Sequence, residues 1–154
     1  MPNAGAPNLS EALIEQLADA VIFADRGGVI RLWNAAAQAV FGYSEAEVVG
    51  ERLDVLIPER LRPGHWAGFD SAIETGQMKH GRESMTTRSM HKDGRDLYLD
   101  LSFALVTDGR GQVLGAVAVA RDITTRFQAE RESRRRLAAL EEQVKELLQS
   151  RPER

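Results

Sequence analysis

The 154-residue sequence contains no cysteine. Disulfides, thiolate-held metals, cysteine nucleophiles and photochemistry through a cysteinyl flavin adduct are therefore excluded. It also lacks any apolar run near the roughly 20 residues a spanning helix needs, and its opening, MPNAGAPNLS, has neither the basic start nor the apolar stretch of a signal peptide. The expected location is cytoplasmic, with no membrane partner. Charge of one sign is missing too: a net charge of -3 and a pI near 5.7 create no field that draws in phosphate backbones. Nucleic acid is not an expected partner.

What is present is 43% hydrophobic residues, enough for one core and one appended element. Residues 1–8 are small, polar and proline-punctuated, and are expected to form a disordered lead. Over residues 9–18, Leu9, Leu13, Ile14 and Leu17 make one helical stripe, with Asn8 and Glu11 in capping-box spacing. Ala20 to Ala24 and Val29 to Trp33 predict two strands around an Asp25–Gly28 turn. Asn34 is placed to cap a short helix that Phe41-Gly-Tyr43 breaks, and Ser44-Glu-Ala-Glu47 is a second capping box. Beyond Gly76 the period changes to two. Gly81 to His91 predicts a strand, Lys92 to Arg95 a hairpin turn, and Leu97, Leu99, Leu101 and Phe103 the inward face of the partner strand. Val113 to Val119 is apolar enough for the centre of the sheet. The expected architecture is α+β: a five-stranded antiparallel sheet with helices on one face.

Residues 125–154 turn to charge, glutamine, alanine and leucine. Leu137, Leu140, Val144 and Leu147 repeat at three-four-three spacing, the seam of a coiled coil. Two heptads are short for an isolated coil, so the seam is expected to extend a parallel homodimer already begun by the domain or the N-terminal helix. A helix folded back on its own domain is the alternative. Arg134-Arg-Arg136 reads as a solvated face offset by neighbouring glutamates.

Between the two groups of strands lies LIPERLRPGHWAGFDSAIETG, residues 56–76. Counted from His65 with a helical period, Leu61, Phe69, Ala72 and Ile73 share its face, so the imidazole is expected among apolar side chains. Pro63 and Gly64 fit a first turn. Such a histidine is either a core residue or an iron ligand. The local pattern alone favours the core residue.

The order of elements, together with Ala24-Asp25, Trp33-Asn34-Ala35-Ala36, Phe41-Gly42-Tyr43, Leu56-Ile57-Pro58, His91-Lys-Asp-Gly94 and Arg121-Asp-Ile-Thr124, resembles the PAS domains of bacterial signalling proteins. The resemblance implies a sensory domain over residues 19–124, whose sheet cups a pocket, dimerising through flanking helices and followed by a signalling helix. An output domain or partner kinase usually completes such a sensor.

Within that family the sequence is most similar to the haem-binding oxygen sensors of the FixL and Dos type, and His65 falls on their proximal iron-ligand position. That likeness implies haem b, with iron on His65 and Phe69 and Ile73 beside it. Leu101 and Phe103 would lie over the distal face. Met85 stands where the relatives carry a distal arginine, and Glu83 where Dos has a methionine ligand. Met85 is either a thioether ligand or a packing residue; His80 is a second distal candidate, and Lys79 and Arg82 are candidates for the propionates. Loss of the distal arginine leaves carbon monoxide, nitric oxide and redox state beside oxygen as signals. The competing expectation is a haem-free module that dimerises or binds another small molecule. An enzyme is not expected, since the sequence shows no nucleophile–base pairing, phosphate-cradling loop or metal-binding histidine motif.

Overall fold

The computed structural model describes residues 8–79 and 83–151. The expected lead over residues 1–7 and the first residues of the strand predicted from Gly81 lie outside them. Helix α1 (Leu9–Gln16) is capped by Asn8, whose side chain accepts from Ser10 N–H. It ends two residues sooner than its stripe predicts because Leu17 takes an extended ψ of 140°. Strands β1 (Ala20–Asp25) and β2 (Ile30–Trp33) form the first hairpin. Asp25 Oδ1 holds its turn by accepting from the Gly27 and Val29 N–H groups.

Asn34 then starts α2 (Ala35–Phe41), accepting from Ala37 N–H, and Gly42 closes it in the left-handed region at φ 83°. The Ser44/Glu47 capping box forms as the sequence predicts and opens the short α3 (Glu45–Val48). Two 3-10 turns, Leu53–Leu56 and Glu59–Leu61, lead into α4 (Arg62–Thr75), which Gly76 ends at φ 68°.

Strands β3 (Met85–Met90), β4 (Asp96–Thr107) and β5 (Val113–Asp122) complete a five-stranded antiparallel sheet of order β2-β1-β5-β4-β3. β5 is central, as its unbroken apolar run requires. The strand expected from Gly81 is paired only from Met85 onward.

One face of the sheet carries the core. Ala20, Ile22, Leu97, Leu99 and Ala120 meet Ala37 and Phe41 of α2, Val48 of α3 and Leu56 of the first 3-10 turn. Gly115 permits the close seam between β5 and β1: a Cβ there would lie 2.0 Å from the Ala24 carbonyl oxygen. The chain divides into two compact units, the second beginning at Ile123 and consisting of α5 (Thr124–Gln149) and its flanks. Among the described residues, no helix is long and apolar enough to cross a membrane.

Candidate functional site

α4 positions His65 one turn from its start. Proline near the first position costs little there, because the early N–H groups have no partner inside the helix. The imidazole stacks on Phe69, with centroids 6.1 Å apart and planes 26° apart, and meets the edge of Trp66 at 4.9 Å. Trp66 and Phe69 are themselves in a T-shaped contact at 5.4 Å. Ile73, two turns on, is the one fully buried residue of the helix. Ala72 is half-buried, but Leu61 is 37% exposed. The helical count from His65 fails at Leu61 because that residue belongs to the preceding 3-10 turn, where side chains recur every three residues.

Burial is the main influence on the His65 pKa and pushes it below the usual histidine value, against the opposite pull of the Asp54 and Asp70 carboxylates. The ring is therefore held neutral. Its Nδ1 is buried and has no hydrogen-bond partner. A buried polar atom left this way costs about 1–3 kcal/mol and calls for an explanation in function or binding.

Sequence periodicity gave no sign of the latch that surrounds this histidine. Trp66 donates its indole N–H to Asp54 Oδ1 at 2.8 Å. The Arg52 guanidinium sits 4.3 Å above the indole and 3.3 Å from Asp54 Oδ2. Arg62 donates to the Ile57 and Asp54 carbonyls. The far edge of the indole fills the space over Gly28, where a Cβ would lie 2.2 Å from the ring. Thus α4 is tied to the first 3-10 turn and to the β1–β2 hairpin by side chains far apart in sequence. Trp66 lies about 100° around the helix from His65, so a one-face count omits it.

Of the other candidates, Met85 and Leu101 are direct cross-strand partners on β3 and β4, and Phe103 pairs with Ala118 of β5. Alternation puts them on the core face with Leu97 and Leu99, and Leu101 packs against the core. β5 presents the small side chains Ala116, Ala118 and Ala120 to that same face. Arg88 does not replace the missing distal arginine: three residues beyond Met85, it faces the other side and pairs with Asp96. Lys79 and Glu83 are exposed. His80 and Arg82 lie outside the described residues.

These residues fit a haem group in their donor chemistry. His65 offers a neutral imidazole nitrogen, the form that ligates iron, and aromatic and aliphatic neighbours suit a flat apolar macrocycle. No three carboxylate or imidazole side chains gather into a metal site among the described residues.

A family model described as the PAS fold matches residues 8–123. The sequence is 29% identical over 135 residues to the signal transduction histidine-protein kinase AtoS of Escherichia coli K12, covering 86% of this chain and 20% of that one. It is 27% identical over 143 residues to the oxygen sensor protein DosP of the same organism, covering 93% of this chain and 18% of that one. The chain thus spans about a fifth of the length of these relatives. The crystal structure of the PAS domain of a protein from Colwellia psychrerythraea superposes with a TM-score of 0.66 at 24% identity, covering 76% of this chain and 96% of that one.

Proposed function

The chain belongs to the PAS family and is a sensory domain of the kind carried by signal-transduction sensors; from this premise we propose that it binds haem b through His65. In this reading it responds to a diatomic gas or to redox state and passes the change on through a homodimer formed by α1 and α5. It acts as a sensor and not as an enzyme, with a kinase or another output domain as its partner in the cytoplasm.

The observation that carries the reading is His65 itself: a neutral imidazole half-enclosed by Trp66 and Phe69, whose Nε2 would take the iron and whose buried Nδ1 is engaged by no other group among the described residues. Haem, when bound, supplies an iron that takes small gases and changes charge with redox state. His65 donates the lone pair, while Phe69 and Ile73 shield it from water. Met85, Leu101 and Phe103 would line the opposing wall, with His80 the second distal candidate, and Lys79 and Arg82 would supply positive charge for the propionates. With a thioether at residue 85 and no guanidinium on that face among the described residues, oxygen would gain no charged hydrogen bond over carbon monoxide or nitric oxide from them. A signal results only to the extent that the bound group prefers one of two arrangements of the dimer.

The test is the visible absorption spectrum of purified protein supplemented with haem, beside a His65→Ala variant. An intense haem band in the parent, shifted or lost in the variant, is expected. A parent that stays colourless after reconstitution overturns the proposal. The haem-free alternative has its own support, because the Trp66–Asp54 latch already holds α4 without any ligand. A colourless protein would leave that reading, a dimerising or small-molecule-binding module, in its place.

A further inference from the structure

A chain without cysteine cannot form the thioether links that fix some haems permanently, so a haem here has only coordination and packing to hold it. Resting on haem binding through His65, we infer that this haem is exchangeable and that the latch under α4 sets how fast it comes and goes. Its arrival and departure are then themselves the signal, whatever gas the iron also carries.

The imidazole lacks the support that a firmly held metal has. Iron on Nε2 requires the neutral ring to keep its proton on Nδ1, and Nδ1 is buried with no hydrogen-bond partner among the described residues. Metal-ligating histidines almost always donate that second N–H to a carboxylate, a backbone carbonyl or water, which fixes the ring and makes the ligating nitrogen more basic. Asp54, whose charge reaches the imidazole, is already committed: Oδ1 accepts from Trp66 and Oδ2 pairs with Arg52. Asp70, the other carboxylate that His65 feels, is exposed. A missing partner of this kind lowers metal affinity about 10–100-fold.

The wall that carries the histidine is built to move. The contacts that tie α4 down are Trp66 with Asp54, Arg52 over the indole, and Arg62 with the Ile57 and Asp54 carbonyls, and none includes an atom of the imidazole. The domain thus keeps α4 in place by means that need no ligand at His65, and a haem-free state is a stable end of the equilibrium. Only Ile73 of the helix is fully buried, so outward motion breaks few apolar contacts. On the opposing side Met85 opens β3, an edge strand that pairs with β4 alone. The site can therefore open without disturbing the centre of the sheet. Haem that binds the opened arrangement better than the closed one shifts the population of α4 positions.

The experiment is haem transfer. The full chain, reconstituted with haem b, is mixed with excess apomyoglobin and the visible haem band is followed. Release within minutes is expected, at a rate independent of the acceptor concentration. Trp66→Phe should release about tenfold faster, and Arg52→Ala, which alters an exposed side chain, about threefold faster. Amide exchange over α4 should differ between loaded and stripped protein and return on reloading. Retention over hours overturns exchangeability and leaves haem binding through His65 standing. A release rate unchanged in both variants overturns the role of the latch, and identical amide exchange overturns occupancy as the signal. A protein that takes up no haem overturns the binding reading itself, and the exchange with it.

Discussion

Asn34 offers the most exacting test of how this domain is held together. Its side chain is 2% exposed and makes four hydrogen bonds: Oδ1 accepts from Val21 N–H at 2.9 Å and Ala37 N–H at 3.0 Å, and Nδ2 donates to the Ile14 and Asp19 carbonyls at 2.9 and 3.1 Å. One amide thus joins the end of α1, the start of β1 and the first turn of α2. Asn34→Ala leaves the buried Val21 N–H unpaired, costing about 1–3 kcal/mol. Losing the cap costs about 1 kcal/mol, and freeing two carbonyls that water can partly reach costs about 0.5 kcal/mol each. The sum, about 3–5 kcal/mol, is a large share of the roughly 5–15 kcal/mol that holds a domain folded. Asn34→Asp retains both acceptor contacts but turns a carboxylate oxygen onto the Ile14 and Asp19 carbonyls in a buried site, so a loss at least as large as that of the alanine variant is expected. Urea unfolding followed by circular dichroism measures both. An alanine variant within about 1 kcal/mol of the parent, or an aspartate variant as stable as the parent, would refute the hub.

Three further outcomes follow from the geometry. Gly115→Ala puts a methyl group 2.0 Å from the Ala24 carbonyl oxygen, so β1 and β5 must part; a loss of about 3 kcal/mol is expected, with faster amide exchange in both strands, and a neutral effect would contradict the packing. Burial keeps the folded-state pKa of His65 below its ordinary 6.5, so the unfolded chain takes the proton first as pH falls. The His65 contribution is therefore complete above pH 6.5 and declines as pH drops from there through the folded-state value. His65→Phe should flatten that part of the stability profile. Trp66→Phe removes the bond to Asp54 and should cost about 1–2 kcal/mol; combining it with Asp54→Asn should cost less than the two separate losses added together, because both break one contact.

Local chemistry made much of this fold readable in advance. Ser44 and Glu47 form a capping box because each satisfies a backbone N–H within one turn. Asn34 and Gly42 likewise start and stop α2 through contacts no more than four residues away. β5 could be placed at the centre of the sheet because a central strand is covered on both sides and needs no polar alternation. What escaped the sequence was long-range. Nothing near Trp66 announces Asp54, twelve residues earlier, or the hairpin glycine its ring covers. The same limit applies to Arg121, whose guanidinium grips Asp19 across 102 residues. His65 was legible as a half-enclosed residue because Phe69 and Ile73 recur at helical spacing. The unsatisfied Nδ1 was not, since it depends on what every neighbouring element fails to offer.

The way α4 is attached bears directly on how a sensor of this design would work. Of its fourteen residues only Ile73 is fully buried, so the helix contributes little to the core that fixes the sheet. It is held instead by the indole–carboxylate bond, the guanidinium over the indole and the Arg62 contacts to two carbonyls. Such polar tethers are individually worth about 0.5–3 kcal/mol, the same order as the roughly 1–3 kcal/mol by which one site typically influences another. On the proposed function, binding at His65 would act on contacts of its own magnitude. A helix seated through many large buried side chains would resist a ligand; one seated through a latch beside His65 can be shifted while the Leu97–Leu99–Phe41 core stays in place. On the proposed function, the separation between a polar latch under α4 and an apolar core under α2 allows the domain to move in one part and remain folded in the other.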